Sequence, residues 1–370
     1  MKKTKYEGGI AEISLTAAAR NYQLVKKRAA RPICCVVKAN AYGHGACVLG
    51  TLYEKLGAEM LAVANPEEGL TLRRSGIQVP ILILGYTPPS LLAEVLEHRL
   101  TVTVYSLDEA RHLSAAMRGT RRVLTAHLKL DTGMGRLGFS FPREEEALKE
   151  VVRLPRIAYT GIYTHLASAD TGKQGVAKTT GQLLAFHRGV EVAEEVTGRL
   201  LRHASNSGGI LDYPEAGLEM VRAGILLYGY LPGEVVHPLP VTPCLTVKAP
   251  LIAVREVPSG IPLGYGGAYV TTRPTRVGVI PLGYADGIPR AAGERGCKVG
   301  CRRGYAPIIG RVCMDATLLD LTETGGAPDE IVTLFGPDPE TSAAAYAHSL
   351  STIPYELLTG IGPRVKRVYL

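Results

Sequence analysis

Between residues 32 and 229 the chain repeats one unit: a short apolar run rich in β-branched residues, a turn, then a segment whose apolar positions recur at helical spacing. The apolar runs fall at 33–37, 60–64, 80–84, 100–105, 123–130, 157–166, 200–204 and 220–228. Helix-length segments at 46–56, 66–75, 89–98, 107–117 and 182–196 lie among them. Runs that are apolar on both faces suit a parallel sheet covered by helices. Eight is the number that closes a (β/α)8 barrel, so the pattern predicts an α/β fold of that kind, with a doubly wound open sheet as the rival. After residue 235 the texture changes. Pro238, Pro240 and Pro243 mark a boundary, and short β-rich runs follow at 245–257, 277–282, 307–312 and 318–321, with one late helix at 341–350. The chain is thus read as a barrel over residues 1–235 and a mostly β C-terminal domain over 236–370. The opening dozen residues precede the first barrel helix and suit either domain.

Composition narrows the classes. With 370 residues, 46 % hydrophobic and 21 % charged, the chain has material for large packed cores, which excludes whole-chain disorder and collagen-like repeats. The formal charge is +8, yet the basic residues are scattered. Clusters such as Lys26-Lys27-Arg28 and Arg121-Arg122 are short and lack interleaved aromatics, so they read as solvated faces and no nucleic-acid partner is expected. Seven cysteines at irregular spacing argue for reduced thiols rather than a disulfide framework. Cys297 and Cys301 lack the second pair or nearby histidine of a zinc site, so no metal is expected. The charged N-terminal residues are followed by no apolar signal region, and no stretch approaches ~18 consecutive apolar residues. A cytoplasmic protein without a membrane partner is the expectation.

In a barrel of this class the reactive groups lie where strands end and the following loops begin. Lys38 follows five apolar residues, so its stem is held by the barrel and its amine emerges with reduced solvation. Such a lysine has a lowered pKa and can attack a carbonyl to form a Schiff base. Ser205-Asn206-Ser207-Gly208-Gly209 offers hydroxyls and amides after the seventh strand, and Gly224 offers another amide after the eighth, the recurrent phosphate position of these barrels. A carbonyl-reactive lysine facing a phosphate cradle suggests pyridoxal phosphate. Each element taken alone has a plainer reading, a surface lysine or a polar turn. Gly133-Met134-Gly135-Arg136-Leu137-Gly138 matches the dinucleotide fingerprint, but no acidic residue stands about 20 positions later, so the glycines are read as letting Arg136 approach a ligand.

The run Val36-Val37-Lys38-Ala39-Asn40-Ala41-Tyr42-Gly43-His44-Gly45 resembles the cofactor-lysine signature of the alanine racemases. Further elements follow in that family's order: 129–138, 163–170, Ser205-Asn206-Ser207, 221–229, Gly264-Tyr265-Gly266, 282–287, Val312-Cys313-Met314-Asp315 and 352–356. The resemblance spans nearly the whole chain and implies a barrel followed by a β domain. It implies that Lys38 holds pyridoxal phosphate and acts as base on one face of the α-carbon. Racemisation then needs an acid/base on the opposite face. Tyr265 resembles that second base, entering from the partner subunit of a homodimer. A phenol's ordinary pKa is ~10, so a base of this kind needs help near neutral pH, and His165 resembles the residue that contacts it.

Other roles rest on the same resemblance. Arg222 resembles the arginine facing the pyridine nitrogen, where a cation that keeps its proton weakens the ring as an electron sink. Arg136 resembles the arginine near the cofactor phenolate and substrate carboxylate, positioned by Lys129, which some relatives carry carbamylated. Tyr42, Ser207, Gly224, Ile225 and Tyr355 resemble cofactor-binding residues at the phosphate. Met314 resembles the residue whose backbone amide binds the substrate carboxylate, and Tyr284 and Asp315 resemble residues lining the entrance. The implied reaction is interconversion of L- and D-alanine, a supply of D-alanine for peptidoglycan. Serine racemisation on the same scaffold is the near rival. Tyr355 favours alanine, because relatives that prefer serine tend to replace the large ring there. A non-catalytic pyridoxal phosphate carrier is the rival of another class, and it leaves Tyr265 and residues 236–370 without a purpose.

Overall fold

The computed structural model describes residues 8–370, which form two compact units. The larger comprises Ala19–Ala41 and Ala46–Val241. The other comprises Tyr42–Gly45, Thr242–Leu370 and the described residues as far as Ala18.

In the larger unit each predicted apolar run holds or overlaps a strand, and all the strands run parallel. Val221–Ala223, Ile33–Val36, Met60–Val63 and Ile81–Ile83 pair in that order. Val102–Val104, Leu124–Asp131, Ile157–Tyr163 and Leu201–His203 pair in a second curled sheet. A parallel bridge between Leu82 and Thr101 joins the two, and on the other side the Arg222 N–H donates to the Ser205 carbonyl at 3.0 Å. The strands therefore follow one another around a (β/α)8 barrel in chain order, and the open-sheet rival is set aside. Ile33–Val36 and Met60–Val63 are buried throughout, as expected for strands with side chains in the barrel on one face and helices on the other. The basic cluster Lys26-Lys27-Arg28 occupies the last turn of the helix Leu15–Ala29, where cations complement the helix dipole.

Several runs yield shorter strands than their apolar length suggests, and two of these bear on the site. The run at 220–228 leaves the sheet after Ala223, because Gly224 takes φ −118° and ψ −102° and Ile225–Tyr228 forms a 3-10 turn. The run at 157–166 ends as a strand at Tyr163, which turns Thr164 and His165 into loop residues.

The second unit is built on a nine-stranded sheet that includes both Leu245–Pro250 and Ala253–Val257, so the single run predicted at 245–257 is two strands. Ile10–Ile13 pairs antiparallel with Leu245–Pro250 and parallel with Lys366–Tyr369. Val257, Leu263, Val277 and Ile309 form one of its buried clusters. The late helix spans Ala343–Leu350, and a second, Pro354–Gly360, follows it. Among the described residues all seven cysteines are free, and no helix is long and apolar enough to cross a membrane.

Candidate active site

Lys38 follows the first barrel strand after one intervening residue and opens a left-handed helical turn. Ala39, Asn40 and Ala41 have φ of 51°, 52° and 53° with ψ of 52°, 46° and 53°, and Tyr42 continues with φ 51°. L-residues pay about 1–2 kcal/mol each for this conformation, so four in succession persist only where the surroundings fix them. Three hydrogen bonds do so: Ala41 N–H donates to the Val37 carbonyl at 2.8 Å, Ala39 N–H to Glu68 Oε1 at 2.7 Å, and Ala46 N–H to Asn40 Oδ1 at 2.9 Å. Burial and the nearby Arg136 cation hold the Lys38 amine below its ordinary pKa, while Glu68 opposes them. A fraction of the amine is thereby unprotonated at lower pH than in a surface lysine.

Opposite charges are scarce around it. Lys129 lies two residues before the end of its strand, with its amine pushed down to about 8 by burial, Arg136 and Arg222. His165 is driven well below its ordinary value by burial and by Arg222, Arg136, Lys129 and Lys38, so its ring is neutral. Asp131, the acid of this region, is occupied with its own loop. Its Oδ1 accepts from the N–H groups of Gly133, Met134 and Gly135 at 2.9–3.0 Å, and its Oδ2 from Arg136 N–H at 3.0 Å. Burial pushes that carboxyl up, but the four donors outweigh it and leave it below the usual carboxylate range. The glycine-rich loop is therefore folded around a carboxylate. A Cβ at Gly138, φ 127°, would lie 2.6 Å from the Asp131 nitrogen, so this glycine serves the loop itself.

Arg222 is buried in the eighth strand and fully clamped. One Nη donates to His203 Nδ1 at 2.9 Å and to the His203 carbonyl at 2.8 Å, and the other to the carbonyls of Thr164 at 2.7 Å and Ala204 at 3.0 Å. Its Nε–H takes no partner among the described residues, so one directed donor of a fixed cation is left over. Because Arg222 donates to Nδ1, His203 carries its proton on Nε2 and passes a hydrogen bond of 2.9 Å to His127 Nδ1. Burial and Arg222 press the His127 ring to about 4, so the pair is neutral. Tyr163 stacks on His203 with ring centroids 4.8 Å apart, and the Arg222 guanidinium lies 5.1 Å from the Tyr163 centroid.

Nearby, Asn206 caps the short helix Ser207–Asp212 by accepting from Gly209 N–H, and the buried Ser207 hydroxyl accepts from Gly224 N–H at 3.2 Å. Ile225 opens the 3-10 turn that follows. Lys38, Lys129, Arg136, His165 and Arg222 thus crowd one another with little compensating negative charge, beside a hydroxyl-and-amide loop. Such a set fits a ligand that brings anionic groups and an aldehyde, which is the chemistry of pyridoxal phosphate.

The remaining candidates belong to the second unit. Tyr42 and Tyr355 lie with ring centroids 5.9 Å apart. The segment holding Tyr42 presses on the helix that carries Tyr355, since a Cβ at Gly43 would fall 2.1 Å from the Leu358 carbonyl oxygen. Tyr265 sits in a glycine-rich turn at the tip of the hairpin Pro262–Leu263 and Tyr269–Val270, with 64 % of its surface exposed. Met314 is 51 % exposed. Its carbonyl accepts from Ala285 N–H, and the Cys313 carbonyl from Tyr284 N–H, so the Tyr284 turn and the Met314 loop are laced together. Asp315 pairs with Arg364 at 2.8 Å, and Arg364 also grips the buried Asp286 at 2.9 and 3.0 Å.

Asp131, His203, His127 and Glu68 receive no role from the sequence. Asp131 is hidden inside the glycine fingerprint, and the histidines inside apolar strands. Glu68 leaves a legible local signal, the cap pattern Asn65-Pro66-Glu67-Glu68, but its contact with Ala39 is 29 residues distant.

Comparison with known proteins agrees with this arrangement. Residues 13–232 match the family model for the alanine racemase N-terminal domain and residues 244–369 that for the C-terminal domain. An alanine racemase of Desulforamulus reducens is 40 % identical over 97 % of this chain and 98 % of its own length. One from Clostridium novyi is 39 % identical over 97 % and 95 %. The solved alanine racemase of Streptomyces coelicolor A3(2) superposes with a TM-score of 0.92 at 35 % identity, covering 98 % of each chain. The chain belongs to the alanine racemase family of isomerases.

Proposed function

We propose that the protein interconverts L- and D-alanine in the cytoplasm by a two-base mechanism, with pyridoxal phosphate as cofactor and a site completed by a second copy of the chain. The observation that carries this reading is the Lys38 amine, held below its ordinary pKa by burial and Arg136 on a strained turn and facing a cluster of cations that calls for an anionic, carbonyl-bearing ligand. When bound, pyridoxal phosphate supplies an aldehyde for condensation with an amine and a ring that withdraws electrons from the substrate α-carbon.

Lys38 Nζ holds the cofactor at rest and takes or returns the α-proton on one face. Tyr265 of the partner copy moves the proton on the other, which accounts for a tyrosine left largely exposed in a single chain. His165, neutral among cations, orients that phenol. Arg222 would face the ring nitrogen as a cation that keeps its own proton, which would favour return of the proton to the α-carbon over side reactions. Arg136 and the Met314 amide bind the substrate carboxylate. Ser207, Gly224, Ile225, Tyr42 and Tyr355 hold the phosphate, and Tyr284 and Asp315 restrict the entrance to a small amino acid. A Lys129 amine near 8 is neutral in on the order of a tenth of molecules at pH 7, enough to take up carbon dioxide; the resulting carbamate would place a negative charge beside Arg136.

Purified protein supplied with pyridoxal phosphate and L-alanine is expected to form D-alanine until the two are equal. D-serine formed faster than D-alanine would overturn the substrate, and neither product would overturn the activity.

A further inference from the structure

Glu68 has no part in the reaction as described above, yet its geometry exceeds what its position requires. It is the third residue of the helix Pro66–Arg74, whose cap Asn65 accepts from Glu68 N–H at 3.0 Å. Its Oε2 reaches back past the cap to Ala64 N–H at 2.8 Å, a variant of the reciprocal cap shifted by one residue. The helix Leu107–Ala116 shows the same device: Ser106 accepts from Glu109 N–H at 3.2 Å, and Glu109 Oε2 accepts from Tyr105 N–H at 3.1 Å. There the cap is the whole of it, because Glu109 Oε1 is buried without a partner. Glu68 Oε1 instead crosses to the neighbouring loop and accepts from Ala39 N–H at 2.7 Å.

We infer that Glu68 is a positioning residue for the reaction: through the Ala39 amide it fixes the left-handed turn that aims Lys38, and it supplies negative charge beside that amine. The inference rests on the reading of Lys38 as the cofactor-bearing lysine. Ala41 and Asn40 bond within their own segment, whereas Glu68 reaches the turn from a separate element. The groups facing Lys38 are Lys129 from the fifth barrel strand, Arg136 and His165 from the loops after the fifth and sixth, together with Glu68 itself. Removing Glu68 leaves that amine facing cations and a neutral ring. Its pKa falls further, because the one group that raised it is gone.

The test uses full-length wild type, Glu68→Ala, Glu68→Gln, Glu109→Ala and Lys38→Ala. In cofactor-free protein, deuterium exchange at the Ala39 amide is expected to rise at least tenfold in Glu68→Ala, with the other barrel segments unchanged. Retention of added pyridoxal phosphate, read from the visible absorbance it gains on condensing with a lysine amine, is expected to weaken at least tenfold. Gln, which keeps one acceptor, restores part of both. In either Glu68 variant the pH midpoint of condensation moves to lower pH, a change that simple loss of stability does not produce. Glu109→Ala changes none of these. The inference is overturned if Glu68→Ala matches wild type within twofold in exchange and retention, or if Glu109→Ala shows the same losses. Should Glu68→Ala not fold, Glu68→Gln decides between the same two outcomes through its exchange and midpoint. Failure of the underlying reading is separable, since Lys38→Ala would then condense like wild type while the Ala39 exchange still reports on Glu68.

Discussion

Glu68 and Glu109 occupy equivalent places in two units of one barrel, third residue of a helix, capped from the same side, each holding the N–H of the residue just after a strand end. Their second oxygens part company. At Glu68 it fastens the loop that carries Lys38. At Glu109 it is buried without a partner among the described residues, as is Thr87 Oγ1, and both residues line a cavity of about 190 Å³ with Tyr86, Pro89, His112 and Leu113. Burial pushes the Glu109 carboxyl up to about 7, against the pull of Tyr105. The same local cap thus serves as scaffold in one unit and as part of the site in the other, and only a contact between loops distinguishes them. Helix-capping chemistry supplies a carboxylate at a strand end wherever it occurs; the neighbouring loop decides whether it is used.

The largest expected effect breaks the comparison at the loops. Lys38→Ala should lower racemisation at least 10³-fold, as loss of both cofactor attachment and one proton-transfer group implies. Thr87→Val, in the loop beside Glu109, should leave kcat/KM within twofold. A comparable loss in both would mean that the Glu109 junction belongs to the site after all.

A smaller effect is expected at the loop after the fifth strand. Asp131→Ala removes the acceptor of four N–H groups, and hydrogen bonds to charged acceptors contribute about 1.5–3 kcal/mol each without adding fully. The loop bearing Arg136 loosens, so KM for alanine should rise on the order of tenfold with a lesser fall in kcat. Asp131→Asn, which still accepts but without charge, should fall between. Steady-state kinetics at several alanine concentrations separate the two parameters.

The smallest effect sharpens the contrast at Glu109. Its folded carboxyl titrates at about 7 against an ordinary 4.5, so the folded protein binds the proton more tightly than the unfolded chain. Stability from this group is therefore greatest in acid and is lost as pH rises from about 4.5 to about 7, by on the order of 3 kcal/mol at most. Glu109→Gln should lack that slope, so the difference between wild-type and variant denaturation midpoints should carry it. At pH 8 it should equal or exceed wild type in stability. A variant less stable at pH 8 than at pH 5, relative to wild type, would show that the buried oxygen has a partner when ionised.

How far the sequence reveals this depends on the range of each contact. The barrel strands are legible because burial on both faces leaves continuous apolar runs, and Lys38 is legible because a polar residue at the end of such a run is conspicuous. The left-handed turn is not: Ala39, Ala41 and Tyr42 are residues that avoid positive φ, and only the glycines at 43 and 45 hint at it. Asp131 is masked by a glycine pattern that more often signals a dinucleotide. Glu68 and Glu109 read identically as caps, since the bond that separates them joins residues 29 apart in different units of the barrel.

The central claim is that two different groups serve the two faces of the α-carbon, Lys38 from one chain and Tyr265 from another. Tyr265→Phe protein, incubated in deuterium oxide with each enantiomer of alanine in turn, tests it by proton magnetic resonance of the α-position. The account predicts that exchange persists near the wild-type rate from one enantiomer and falls at least 10²-fold from the other. Exchange that is unchanged from both, or lost equally from both, would contradict it.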